Sequence, residues 1–295
     1  MTDAVITVPR RRRRVGHGNW PAMIAGGVLL VIVLAAVLAP LLSWHDPLAT
    51  DVRARLKPPV FMDGGSWSHP FGTDSIGRDL FARTLYGLRS SLFIGFSAVA
   101  IGGFIGVTAA IVSGYHEGKL GSFVFGRLAD VQQAIPFVVL ALAVAAAVGP
   151  SYRNLIFILG IGSWVFYYRL VRSEVLPLRE EPFILAQRTI GSPTWRILLR
   201  HVLPNVMPAV LVTVTLFVPS TIMYAAALSF LGLGVQPPAA ELGLMISEGR
   251  GFIENAWWLT VVPGVVLALI VLALNSLGDW LRDRLDPTRR MADRA

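Results

Sequence analysis

The chain has 295 residues, of which 54% are hydrophobic and only 15% charged, and its mean hydropathy is +0.62. Those values exclude a water-soluble domain of this length and identify a polytopic membrane protein. The formal charge of +8 does not signify nucleic acid, because the basic residues follow a membrane topology, and the absence of cysteine excludes disulfides and thiolate-bound metal.

A helix needs roughly 20 apolar residues to cross a hydrocarbon core. Runs that meet this lie at 22–43, 92–114, 131–149, 155–170, 206–233 and 258–280. Six spans is the natural count. The fourth run is short, and Trp164, Tyr167, Tyr168 and Arg169 read as an interfacial belt at its end, so five spans remain open. The arginine run Arg10–Arg14 before the first span resembles a secretory leader, but the apolar stretch that follows is longer than a leader's roughly 7–15 residues. An uncleaved first helix is expected.

With the N-terminus inside, 18 of the 26 Lys and Arg residues fall on the inner side: Arg10 to Arg14, Lys119, Arg127, Arg169, Arg172, Arg179, Arg188, Arg196, Arg200 and five from Arg282 to Arg294. That bias makes both termini cytoplasmic. The resulting plan is a basic N-terminus (1–21), a first span (22–43), an extracytoplasmic segment (44–91), a core of five spans (92–280) and a cytoplasmic tail (281–295). No repeat of 20–50 residues is present.

The extracytoplasmic segment begins as an extended stretch carrying Pro47, Pro58, Pro59 and Pro70. From Asp79 onward Leu80, Phe81, Thr84, Leu85 and Leu88 recur at helical spacing while Arg83 and Arg89 fall off that face, which predicts a surface-lying amphipathic helix leading into the second span. That span carries Gly95, Ala98, Gly102, Gly106 and Ala110 on one face. Small residues so spaced mark close helix packing in lipid.

Ionisable residues inside spans usually mark proton or ion pathways, and the middles of the six predicted spans contain none, which argues against a proton-coupled carrier. His17, His45, His69, His116 and His201 stand singly and share no metal-ligand spacing. Gly118-Lys119 lacks the upstream glycine of a phosphate-cradling loop, so ATP is not bound that way and no cofactor or metal is expected on this chain. The fifth span carries Thr213, Thr215, Ser220, Thr221, Tyr224 and Ser229 around Pro219, and the sixth carries Asn275 and Ser276. These groups either satisfy backbone freed by the proline or line a wet path; Thr213, Thr215, Ser220 and Tyr224 are the candidates for the path.

Between the fourth and fifth spans, on the inner side, lies the segment 181–205, EPFILAQRTIGSPTWRILLRHVLPN. It splits at Gly191-Ser192-Pro193 into two short helices, with Pro193 suited to a first turn. In the second, Trp195, Leu198 and Leu199 share a face with Val202 at its edge, Arg196 and Arg200 point elsewhere, and Leu203-Pro204-Asn205 ends it. A solvated loop would not need Phe183, Ile184, Leu185 and Ile190; a segment bound to the membrane surface or to a cytoplasmic partner would.

Ala186, Gly191 and Leu203-Pro204 resemble the cytoplasmic loop E-A-A-x3-G-x9-I-x-L-P of bacterial ATP-binding-cassette importer permeases, with Leu185, Gln187 and His201 departing from it. HPFGTDSIGRDLFARTLYG at 69–87, RLVRSEVLPLRE at 169–180, LSFLGLGVQPPAAELGLMISEGR at 228–250 and LNSLGDWLRDRLDP at 274–287 are similar to the C-type permease subunit of the oligopeptide/dipeptide (peptide and nickel) importers, across about 15–290. The resemblance implies an all-α type I importer permease of six transmembrane helices in a bacterial inner membrane. It also implies a heterodimer with a B-type permease, one or two cytoplasmic ATPase subunits that hold the ATP and Mg2+, and an extracytoplasmic solute-binding protein. This chain would then be a non-catalytic subunit surrounded by lipid. The segment 181–205 becomes a coupling helix in which Glu181, Phe183, Ala186, Arg188, Gly191, Arg196, Leu203 and Pro204 meet the ATPase, with Ala186 and Gly191 small because the helix lies close against its socket or against itself. Peptides are the expected cargo, with nickel complexes or glutathione as alternatives; a secondary carrier or an assembly subunit would be the other classes.

Overall fold

The computed structural model describes residues 20–285, so the arginines at 10–14 and the tail at 286–295 lie outside the described residues. Helix α1 (Trp20–Val37) runs into a single turn α2 (Ala39–Leu42) that carries Pro40 near its start. Residues 43–79 form a cap without strands, held by isolated bridges Ser66–His69 and Thr73–Asp79. The Asp79 carboxylate accepts the Ala82 N–H at 2.7 Å and opens α3 (Leu80–Tyr115). This N-cap satisfies one of the donors that a helix start leaves free.

The predicted surface-lying helix is therefore the first turns of α3, and its polar side is corrected as well. Arg83, expected to point away, is 1% exposed, because carboxylates from two other parts of the chain surround it. After α4 (Leu120–Gln133) and α5 (Phe137–Val148) comes α6 (Tyr152–Leu178), capped by the Ser151 hydroxyl accepting from Asn154 N–H. The predicted third span, 131–149, is broken: α4 and α5 meet at 89°. Pro136 lacks an N–H and disfavours helical geometry in the residue before it. With 12 residues, α5 is about 18 Å long, against a hydrocarbon core of about 30 Å.

Helices α7 (Pro182–Thr189) and α8 (Thr194–Ile197) precede a π-helical segment, Leu198–Val202, that joins α8 to α9 (Leu203–Phe230). The chain then forms α10 (Leu242–Gly249) and α11 (Trp258–Leu285). Leu203-Pro204 does not end the helix, contrary to expectation. The Leu203 N–H bonds to the Leu198 carbonyl five residues back, and this wider turn carries the rod past the missing donor of Pro204. Thr194–Phe230 is thus one helix of 37 residues.

Four helices among the described residues are long and apolar enough to cross a membrane, or five if the bent pair is one span; α1 is the shorter apolar helix that would complete six. Helix α3 is the mast, packed against α1, α6, α9, α10 and α11. Trp164, Tyr167 and Tyr168 of α6, expected as an interfacial belt, are buried in this packing at 8%, 0% and 2% exposure. Large apolar side chains on the outside, such as Val31, Phe104 and Leu272, suit a lipid surrounding.

Candidate functional site

The two ends of α3 carry the two distinctive constructions of this molecule. Its 36 residues hold them about 54 Å apart. At the α3 N-terminus sits the 43–79 cap; at the C-terminus, Tyr115 receives Arg188 of α7, whose Nε donates to the phenol oxygen at 3.0 Å and whose guanidinium lies 4.5 Å from the ring centroid.

The α7–α8 connector has two apolar faces. Inward, Ile184, Ile197 and Val202 are buried with Ala110, Trp164, Val171 and Val175. Leu198 and Leu203 pack against the same cluster. Outward, Phe183, Leu185, Ile190, Trp195 and Leu199 are exposed, Ile190 by 71% and Trp195 by 62%. The predicted face of Trp195, Leu198 and Leu199 is thus split: the π-helical turn rotates the register so that Ile197 and Val202 face the core. Glu181 is the N-cap of α7 without a side-chain bond, and Glu181, Ala186, Arg196 and Pro204 are all exposed.

Gly191 makes the turn between the helices with φ of +74°, where a Cβ-bearing residue is disfavoured. A Cβ there would meet nothing within 4 Å, so within this chain its smallness answers backbone geometry and not crowding. The Ser192 side chain and N–H both bond back to Gln187, closing the turn. Beside the connector, Glu117 accepts from Ser122 and Arg172, and the Ser122 hydroxyl first, then Arg172, holds its carboxyl below the ordinary 4.5.

The glycine row on α3 meets two neighbours. A Cβ on Gly102 would lie 2.1 Å from Ser163 Oγ and one on Gly106 2.3 Å from the Trp164 carbonyl, both on α6; one on Gly95 would lie 2.5 Å from Ile222 Cγ1 on α9. The α9 hydroxyls of Thr213, Thr215 and Thr221 donate to carbonyls of their own helix at 2.7–2.8 Å, a back-bonding that leaves them internally satisfied. Thr213 is buried, Ser220 exposed, and the Tyr224 ring lies tilted against Phe137 with centroids 5.0 Å apart. The four path candidates, Thr213, Thr215, Ser220 and Tyr224, therefore differ in exposure and do not form one uniformly open face.

Sequence reasoning misses the charged clamp at the opposite end. Arg83 Nη2 donates to Glu248 at 2.7 Å, Arg78 to the same carboxylate at 3.2 Å and also to Asp74, and Asp74 stands 3.6 Å from Arg83 Nε. Arg78 and Asp74 are buried, so the pair is desolvated and depends on complete partnering. Glu241, fully buried, caps α10 through Leu244 N–H at 2.8 Å and accepts from Ser91 at 3.1 Å. Burial pushes its carboxyl pKa up, opposed by these bonds. The clamp therefore fixes α10 against α3. The signal in the sequence is only the dense charge of TDSIGRDLFAR, which does not reveal that its partner lies beyond α9.

Residues 102–291 match the family described as the binding-protein-dependent transport system inner membrane component, and residues 18–59 match the N-terminal transmembrane domain of oligopeptide transport permease C. The chain is 38% identical over 268 residues to the probable D,D-dipeptide transport system permease protein of Escherichia coli, covering 90% of this chain and 88% of that one. It is 40% identical to the di/tripeptide transport system permease protein of Pseudomonas aeruginosa (90% and 88% covered) and 41% identical to the dipeptide transport system permease protein of Alkalihalophilus pseudofirmus (88% and 83%). The structure of the MetNI methionine ABC transporter in an inward-facing conformation aligns with a TM-score of 0.54 at 20% identity, covering 69% of this chain and 96% of that one. At that identity the likeness concerns the fold alone.

Proposed function

Because the chain belongs to the binding-protein-dependent transport system inner membrane components, as a C-type permease, we propose that it forms half of the translocation path for di- or oligopeptides in an ATP-driven importer. The names of its relatives support the cargo. The observation that carries the mechanism is the outward apolar face of the α7–α8 connector. Five large side chains are left uncovered on a piece of chain already anchored on its other face, and exposing them to water costs roughly 1.5–3 kcal/mol each relative to burial.

In this reading the connector seats in a cytoplasmic ATPase, one or two of which bind ATP and Mg2+ and supply the hydrolysis that this chain does not. Glu181, Phe183, Ala186, Arg188, Gly191, Arg196, Leu203 and Pro204 belong to that contact or to the helix that transmits it. A related B-type permease completes the path, and an extracytoplasmic binding protein delivers the peptide to the end formed by 43–79 and α10. The chain lies in the bacterial inner membrane with six spans and both termini cytoplasmic, in keeping with the inner-side arginines. Within it, 92–280 is the core, and of Thr213, Thr215, Ser220 and Tyr224 the exposed Ser220 and the half-buried Tyr224 are the ones that face the passage, where weak, uncharged contacts suit a cargo captured elsewhere.

Ile190→Glu combined with Trp195→Glu tests the reading. The variant should insert into the membrane at normal abundance yet lose both copurification of the ATPase and peptide uptake. Retained copurification and full uptake would overturn it.

A further inference from the structure

The cap at the start of α3 brings together three side chains that the linear sequence keeps apart. His45 follows α2, His69 lies on the 66–72 turn and Asp79 caps α3; one possible ligand atom of each falls within 4.8 Å of the others. The Nδ1 of His69 is 2.7 Å from Asp79 Oδ2, and the two imidazole rings lie tilted at 36° with centroids 4.8 Å apart. Asp79 is buried, so this is not a loose surface gathering of charge.

The same three segments are pinned by a second set of contacts. Trp44 packs on Phe81 at 6.2 Å and Phe71 meets Phe81 edge-on at 5.2 Å. Each of these aromatic residues is next to or two positions from one of the three polar residues, so the rings hold the donors in register before any ligand arrives. Asp79 is further fixed by its bond from Ala82 N–H. His45 also borders a surface cavity with Trp44, Tyr86 and Ser90, which gives an ion a path from solvent.

We propose that His45, His69 and Asp79 bind a divalent transition-metal ion of the Zn2+ class. Two imidazoles and a carboxylate suit Zn2+, Co2+ or Ni2+ and disfavour Ca2+ and Mg2+, which take oxygen ligands. Tetrahedral ligands at about 2.0–2.1 Å from Zn2+ are about 3.3 Å from one another. The 2.7 Å pair need open by about 0.6 Å, and the third donor, now within 4.8 Å, move in by up to about 1.5 Å, a shift within reach of a side-chain rotation. The ion takes the place of the proton shared by His69 Nδ1 and Asp79 Oδ2, and that proton leaves to solvent. Bound there, the ion ties the segment after α2 to the first turn of α3.

The test uses the full-length chain purified without a histidine tag, with Zn2+ by equilibrium dialysis and Co2+ by visible absorption as probes. The wild type should take up one Zn2+ per chain beyond the background of its other histidines and develop tetrahedral Co2+ bands. His45→Ala, whose ring makes only a tilted ring contact and no capping bond, should weaken binding about tenfold or more, and His69→Gln likewise. Zn2+ uptake by His45→Ala equal to wild type, or no uptake by either, overturns the site. Peptide uptake is not the readout, so failure here leaves the permease reading standing.

Discussion

Replacing Gly191 separates two reasons for a small residue in the connector. Its φ of +74° strains any L-residue, and no atom of the chain lies within 4 Å of the position that a Cβ would take. The cost within this chain is thus backbone alone, about 1–2 kcal/mol, equivalent to a factor of roughly 5–30 in the population of the native turn. Asn tolerates the left-handed region far better than Ala or a β-branched residue. Uptake of labelled peptide by cells lacking the native chain should therefore follow Gly, then Asn close behind, then Ala several-fold lower and Val lowest. Membrane abundance by immunoblot controls for insertion. If Asn is as damaging as Val, the ATPase socket crowds the position and the backbone reasoning fails. If Val transports normally, the connector is not the coupling element.

Other expectations follow from the packing. Arg83→Ala removes a buried guanidinium and leaves Glu248, whose side chain is 28% exposed, to Arg78 alone, and should cost about 1–3 kcal/mol; thermal unfolding in detergent should show Glu248→Ala adding much less on top of it than alone, the signature of coupled residues. Gly106→Val drives a side chain into the Trp164 carbonyl, 2.3 Å from the first added carbon, and should cost at least about 1–3 kcal/mol. Gly103→Ala meets only ordinary contacts at 3.8 and 3.9 Å, so it should be neutral or stabilise by up to about 0.5–1 kcal/mol through helix propensity. Glu117 is ionised more readily in the folded chain. Its contribution is complete above the ordinary pKa of 4.5 and fades as pH falls through the lower folded value. The difference in melting temperature between wild type and Glu117→Gln should accordingly vanish at acid pH.

What could be read from residues alone follows the range of the interaction. The helix from Asp79 onward is legible because helical spacing is local, and the apolar runs announce spans because hydrocarbon thickness sets their length. The bend between α4 and α5 escapes because Pro136 sits inside a continuous apolar run, where composition says membrane and only geometry says corner. Arg83 misleads for a different reason. A guanidinium at a helix start reads as solvent-facing until Glu248, 165 residues away, folds over it. His45, His69 and Asp79 share no spacing at all, since an irregular cap and not a helix or strand brings them together. The split of the connector's apolar residues into inner and outer sets depends on the π-helical turn, and no periodicity of 3.6 predicts an extra residue per turn.

That extra residue bears directly on how a push at the connector would travel. Had Leu203-Pro204 ended the second connector helix, α8 would be a separate piece and the turn a swivel that absorbs displacement. Instead the 37 residues of Thr194–Phe230 form a rod about 55 Å long, longer than the hydrocarbon core by roughly 25 Å. The excess is a handle rigidly continuous with the fifth span. Ile197 and Val202 bind that handle to the α3 and α6 cluster, and Ile184 binds α7 to the same cluster. Arg188 adds a tie to the end of α3. A force applied to Ile190 or Trp195 would therefore move α3, α6 and α9 as a unit. At the other end of α3 the same unit is clamped through Arg83 and Glu248 to α10, so displacement of the connector would be felt where the binding protein is proposed to deliver its cargo.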